Sequence, residues 1–370
     1  MKIKIDAIDT LFFKDGKPFS MGEETWADGI FPPPPSVIYG AIRTAYFAEN
    51  PNEFVKANTE NDPTYNLVLK GINFDFADDE YYPIPLDYAK IKNSKGGQAI
   101  LLKSSKHIPL SSSSLNTNFL ELSGNIKEKD EEFELVGESI ISFSSLRRYL
   151  RNESSEKVSF IRLSELVQTE SKIGIGRDNI THSTGNGDDP MGGKLYRVGM
   201  KRLSEKKVNE KKVNSLSLNI HFEGLQIQNE GLLKLGAEGK VAKYKSIENC
   251  KTIFTDDELD EINETTFKVY LVNPAIFKKG WLPDFENNPI LKELQLEQIN
   301  ASIGKPISIG GFDMVKKMPK PMIKAVPAGS VYYFNSKNSS FKEIYQKLNG
   351  KSISDYKTKE GYGICYIGRI

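Results

Sequence analysis

Cysteine and histidine are scarce. The chain of 370 residues has two cysteines, Cys250 and Cys365, and three histidines, His107, His182 and His221. Two cysteines cannot staple a fold of this length, so a reducing, cytoplasmic setting is expected. None of these five residues stands at ligand-like spacing, and no metal site is expected. Long apolar runs are missing too. The longest, such as Ala99–Leu102, fall far short of the roughly 20 residues a membrane helix needs. The opening MKIKIDAIDT alternates polar and apolar residues without the apolar core of an export signal, so neither membrane nor export is expected. Net charge is nearly absent, at +1, which excludes a polycation that coats nucleic acid indiscriminately. No phosphate-binding P-loop occurs. Gly174 and Gly176 lack the third glycine and the preceding strand of a dinucleotide fingerprint, and no cofactor is expected.

A neutral total still leaves room for a local basic stripe. Lys194–Lys212 carries eight Lys/Arg against Glu205 and Glu210, a local +6. Its tail, SEKKVNEKKVNS, reads as a solvated loop. At the N-terminus Ile3, Ile5, Ala7, Leu11 and Phe13 all fall on odd positions, a period of two that predicts one half-buried strand. FPPPPS then stiffens the chain ahead of a helix predicted over Val37–Ala48. Ser36 is the expected N-cap, and Val37, Ile38, Ala41, Ile42, Ala45 and Tyr46 form its apolar face. Leu216–Phe222, Phe267–Val272 and Ser330–Phe334 read as strands, and helical spacing appears over Pro289–Ile299 and Phe341–Leu348. The chain closes with Gly361-Tyr362-Gly363 and a short apolar strand, Ile364–Ile367.

Interleaved strands and helices without a repeat period predict an α+β fold with split βαβ units. The expected division is 1–160 and 161–370.

Candidate catalytic groups are thin. Asp188-Asp189 lies in HSTGNGDDPMGG, a stretch of turn residues more in keeping with a loop tip than with a metal-binding pair. Cys365 belongs to an apolar strand and reads as core. His182 is the one residue with a suitable ordinary pKa for general-base work, but no partner is obviously placed with it.

The stretch FPPPPSVIYGAIRTA resembles the first helix region of the RAMP protein family that forms the third subunit of type III-B CRISPR (Cmr) effector complexes. Five further stretches match in the same order: YYPIPLD near Tyr82, KIGIGRDNITHSTG…GKLYR at Lys172–Arg197, LLKLGAEGKVAKY at Leu232–Tyr244, ISIGGFDMVKKMPKPMIKAVPAGSVYYF at Ile307–Phe334, and GYGICYIG at Gly361–Gly368. The resemblance implies two ferredoxin-like, RRM-related domains, a glycine-rich loop before the last strand, and an inserted hairpin or thumb at about 172–198. It also implies a non-catalytic subunit that holds the repeat-derived 5′ tag of the guide RNA. Such a subunit touches the large polymerase/cyclase-type subunit on one side and the first backbone subunit on the other. The sequence departs from the family pattern at LGAEGK, where Ala237 stands in place of a second glycine and Lys240 in place of an arginine.

On this reading the expected RNA-binding residues are Ser36 and Arg43 at the helix start, Arg177, Lys194 and Arg197 on the thumb, Lys240, and Lys316 and Lys317. Gly361, Tyr362 and Gly363 complete the set. Ser36 opens a positive helix end suited to phosphate, Arg43 offers a bidentate phosphate contact, and Tyr362 would stack on a base between two glycines. Gly310–Ala328 is expected to be an ordered loop without regular structure. Two alternatives stand beside this reading: a guide-processing endoribonuclease of the same superfamily using His182, and a scaffold that touches protein only.

Overall fold

The computed structural model describes residues 1–14, 26–92, 97–104, 120–122, 132–153, 157–175, 195–203, 205–208, 212–248, 251–313 and 318–370. Two antiparallel sheets organise it. The first has eight strands in the spatial order Ile161–Arg162, Ser139–Ser142, Asp79–Pro83, Val68–Phe76, Ser217–Glu223, Lys2–Ala7, Val241–Ser246, Glu230–Lys234. The N-terminal strand is thus central, with Ile3 opposite Ile220 on one side and Ser246 on the other. Alternation decides which face is buried: Ile3, Ile5, Ile72, Phe74, Leu218, Ile220, Ala242 and Tyr244 join one core.

The predicted single strand over residues 3–13 ends at Ala7. Leu11, Phe12 and Phe13 are buried but lie beyond a bend, where Leu11 bridges Lys201.

Helix α1 (Pro35–Glu49) covers this sheet. Pro35 takes the first helical position, where the missing N–H costs nothing and φ is preset. Ile38, Ala41, Ile42 and Ala45, spaced three and four apart, enter the core. The N-cap residue is Pro34, with no side-chain cap, so the expected capping role of Ser36 is corrected: it lies one position inside the helix start at Pro35.

The second sheet runs Leu296–Ser302, Val331–Ser336, Thr266–Leu271, Ile364–Arg369, Lys351–Ser352. Helices Pro289–Leu294 and Phe341–Leu348 complete it. The helix predicted over Pro289–Ile299 stops at Leu294, because Gln295 turns left-handed at φ 46° and the chain leaves as a strand. Phe341–Leu348 is helical as expected, with Ser340 accepting from the Glu343 N–H as its cap.

The expected division at 160/161 does not follow the sheets. Strands from 217–246 sit beside Lys2–Ala7, so the change of sheet falls between Ser246 and Thr266. Pairing of distant segments, invisible to local composition, is the reason. A smaller sheet of Lys157–Ser159, Gln98–Ser104, Tyr88–Ile91 and Phe133–Leu135 lies alongside. The expected thumb begins as a long hairpin, Val167–Ile175 against Leu195–Leu203, paired over nine residues with most of the first strand exposed. Its tip lies outside the described residues.

Gly310–Ala328 is corrected as well. Ile307–Ile309 pairs with Ile323–Ala325, and Phe312–Asp313 with Met318–Pro319, so the segment is a hairpin arm. Pro319 is accommodated because it sits in a two-stranded ladder with a free side.

Candidate nucleic-acid interface

Three of the expected RNA-binding residues, Gly361, Tyr362 and Gly363, lie in the C-terminal turn. The short turn Thr358–Glu360 ends at Gly361, with φ +90°, and Gly363 follows at φ +71°. A Cβ at Gly361 would lie 2.8 Å from the Leu69 Cβ, and one at Gly363 2.5 Å from the Ser354 nitrogen. Both glycines are therefore required by internal packing. Their N–H groups are spent internally too, on the Thr358 carbonyl at 3.1 Å and the Pro274 carbonyl at 2.7 Å.

Between them, Tyr362 is 0% exposed and packs with Ile276, Ile309 and Ala325. Its hydroxyl meets the Ser36 Oγ at 3.0 Å. Burial pushes the phenol up to about 12, partly offset by hydrogen bonds from Ser36. The expectation that Tyr362 stacks on a base is corrected: the ring is a peg that joins the arm, the C-terminal turn and the start of α1. Ser36 is committed to that peg.

Arg43 projects from the exposed side of α1 into the segment 57–65. Its Nε donates to Thr64 Oγ1 at 2.7 Å, and its Nη2 donates to Asp62 Oδ2 at 2.6 Å and Asn58 Oδ1 at 3.1 Å. Asp62 also accepts from the Asn58 N–H, the Thr64 N–H and the Thr64 hydroxyl. These hydrogen bonds, with Arg43 beside them, hold its carboxyl below the usual range against the opposing effect of burial. Arg43 therefore braces a loop, and its guanidinium is engaged by Asp62 rather than left open for a phosphate. Asp62 lies 19 residues away, a separation at which no sequence pattern would reveal the pairing.

That braced loop carries Tyr65, which is 64% exposed. Lys359, from the C-terminal turn, lies 3.8 Å from the centre of the Tyr65 ring and donates to the Tyr65 carbonyl at 3.1 Å. Neither residue was singled out from sequence. An aromatic and a lysine 294 positions apart give no local signal.

Lys240 reaches Asp9 Oδ2 at 3.1 Å and Thr10 Oγ1 at 3.0 Å. The Thr10 backbone N–H and then Lys240 hold Asp9 below its ordinary value. Lys240 thus fastens the Glu230–Lys234/Val241–Ser246 hairpin to the end of the first strand. Arg197 is exposed on the thumb strand, in register with Ile173 and Trp26. Arg177, Lys194, Lys316 and Lys317 lie outside the described residues, as do His182, Asp188 and Asp189. Cys365 is buried in the last strand, where desolvation pushes its thiol up to about 12, in keeping with a core role. Among the described residues no group of three His, Cys, Asp or Glu could hold a metal ion.

A buried polar seam between the halves was also missed. Asp87, fully buried, accepts from the hydroxyls of Tyr149 and Tyr333, each at 2.5 Å. Lys268, buried in the middle of the strand TFKVYL, donates to the Tyr149 carbonyl at 3.2 Å and sits 3.9 Å from that ring's centre. Burial draws the ammonium down to about 8, opposed by the Asp87 charge. Asn300, Tyr333 and Lys268 stand in register across three strands, and all three are buried. This face of the second sheet is sealed within the molecule. The one readable sign was a lysine flanked by apolar residues in a strand otherwise fit for a core.

Comparison with known families settles membership. The family model CRISPR-associated protein (Cas_Cmr3) matches residues 3–370. The chain belongs to this family. Among solved structures it is similar to a chain of the type III-B Cmr-beta complex bound to cognate target RNA and AMPPnP. That likeness has a TM-score of 0.46 and 16% identity and covers 94% of this chain and 88% of that one. A chain of the Cmr-beta complex bound to cognate target RNA gives a TM-score of 0.46 at 15% identity, over 90% and 86% of the two chains. A chain of the type III-A Csm3–Csm4 subcomplex gives 0.36 at 12% identity, over 91% and 94%. No curated protein matches the sequence. The architecture of this family member is thus mixed α+β, built of mostly antiparallel sheets with few helices.

Proposed function

We propose that this chain is a non-catalytic RNA-binding subunit of a type III-B CRISPR effector complex. It holds the repeat-derived 5′ tag of the guide RNA and bridges the large polymerase/cyclase-type subunit to the first backbone subunit. The observation that carries the reading is the family match over residues 3–370.

The fold is consistent with it. The second sheet follows the order strand, helix, strand, strand, helix, strand, with the first and third strands central, which is the split βαβ pattern of ferredoxin-like domains. The first sheet begins the same way, with Lys2–Ala7, α1 and Val68–Phe76. Ser217–Glu223 follows as the third strand and Val241–Ser246, beside Lys2–Ala7, takes the place of the fourth, while Glu230–Lys234 comes in chain order where a second helix would be.

The RNA-facing surface we assign is the corner where the exposed side of α1, the Arg43-braced loop 57–65 and the C-terminal turn 355–361 converge, together with the thumb. Arg197 on the thumb strand supplies a phosphate contact, as do Arg177, Lys194, Lys316 and Lys317, which lie outside the described residues. Arg43, Lys240, Gly361 and Gly363 support the surface by holding its loops.

The test is binding of labelled guide RNA, with and without the repeat-derived tag, at two salt concentrations. Tag-dependent binding that weakens with salt is expected. Equal binding of both RNAs would refute tag recognition. Cleavage of repeat RNA by the purified protein, lost in His182→Ala, would instead establish the endoribonuclease, and failure of any RNA to bind would leave a protein-only scaffold.

A further inference from the structure

We propose that Tyr65 is a preorganised platform on which one unpaired nucleobase of single-stranded RNA stacks, with Lys359 as its backing cation. This rests on the RNA-binding reading and gives it a specific contact. The ring is 64% exposed, although burying a tyrosine ring is ordinarily favourable. It is not exposed on a loose segment. Asp62 draws in Arg43, the Asn58 N–H and both Thr64 donors. Thr64, adjacent to the platform, is itself buried. The Tyr65 N–H donates to the Asp62 carbonyl at 3.0 Å, which locks the backbone that carries the ring.

Lys359 Nζ sits over the ring at 3.8 Å from its centre. Among the described residues no carboxylate pairs with this lysine and no second aromatic ring covers Tyr65. A cation on one side and solvent on the other leave one π-face free. A positive charge without an acidic partner favours an anionic polymer over a neutral or basic protein surface. Stacking requires only a π-face from the base and is tolerant of sequence. The nearby lysine can then pair with the phosphate of the same nucleotide.

The experiment uses the full chain and a labelled single-stranded RNA of mixed sequence, with a matched RNA carrying abasic sites. One stacked base contributes about 1–3 kcal/mol, so Tyr65→Ala is expected to weaken binding about five- to hundredfold without changing the salt slope. Tyr65→Trp retains affinity, and the abasic RNA binds wild type and Tyr65→Ala alike. Lys359→Ala weakens binding and lowers the salt slope by about 0.7, the value for one phosphate contact on a single strand. Equal melting temperatures across the variants exclude loss of fold. If wild type binds RNA and Tyr65→Ala binds it equally well, the platform is overturned while the RNA-binding function stands. If Tyr65→Ala instead loses a protein neighbour in the assembled complex with RNA affinity intact, the surface is a protein contact and the platform is likewise overturned. If wild type binds no RNA, the functional reading itself falls.

Discussion

Asp87→Ala is expected to be among the most damaging single substitutions in the chain. Asp87 is fully buried and takes hydrogen bonds from two buried tyrosines, one from each half of the molecule. Truncation leaves both hydroxyls without an acceptor, at about 1–3 kcal/mol each. It also strips the buried Lys268 ammonium of the one opposing charge that raises it most. The two orphaned hydroxyls alone should cost at least about 2 kcal/mol, read as a lower urea midpoint at unchanged m. Asp87→Asn keeps a carbonyl acceptor for both tyrosines and should lose less. The decisive comparison adds Tyr149→Phe and Tyr333→Phe to Asp87→Ala. Without hydroxyls to orphan, the triple variant should recover part of the loss, because removing both sides of a hydrogen bond is cheaper than removing one. A midpoint for Asp87→Ala within experimental error of wild type, or a triple variant weaker than the single, would refute this account of the seam.

Lys268 adds a pH signature. The folded state releases its proton at about 8, while the unfolded chain holds it to about 10.4. Between these values the unfolded state binds more protons, so this group's contribution to stability climbs as pH rises, by on the order of 1 kcal/mol per pH unit. Urea titrations from pH 7.5 to 10 should show that climb in wild type relative to Lys268→Met. Gly363→Ala places a Cβ 2.5 Å from the Ser354 nitrogen at φ +71° and should cost more than about 1 kcal/mol by the same assay. Tyr362→Phe removes only the hydroxyl that meets Ser36 and should cost about 1 kcal/mol, measured as a melting shift. Arg43→Ala should leave the global midpoint within about 1 kcal/mol yet raise hydrogen exchange over residues 57–65 and, through that loop, weaken guide retention. Unchanged exchange there would show that Arg43 does not brace the loop.

Local pattern made some elements plain and others unreadable. The spacing of Ile38, Ala41, Ile42 and Ala45 announced α1, and Phe341–Leu348 was equally clear, because in both one apolar stripe meets a core. Gln295 hid the end of a helix, since a left-handed residue without glycine breaks a periodicity that the side chains continue. The expected division at 160/161 cuts across the first sheet because composition does not reveal that segments 2–7 and 217–246 share it. At the candidate site the motif Gly361-Tyr362-Gly363 was visible but its sense was inverted. Glycines that allow a ligand to approach and glycines that admit Leu69 and Ser354 look identical in sequence. Arg43 was legible as an exposed cation, whereas its partner Asp62, and the pairing of Lys359 with Tyr65, exist only once the chain has folded.

The central place of the first strand bears on how the chain folds as it is made. Among the described residues Lys2–Ala7 pairs with Ser217–Glu223 and Val241–Ser246, so during synthesis this strand waits for the whole segment up to 217 before either neighbour exists. At about 5–20 residues per second that interval is roughly 10 to 50 seconds. Through it the apolar side of the strand, Ile3 and Ile5, and the apolar stripe of α1 have no completed sheet to cover them. Nascent chains stalled before residue 217 should therefore bind hydrophobic-surface chaperones, and release should coincide with emergence of the Val241–Ser246 strand.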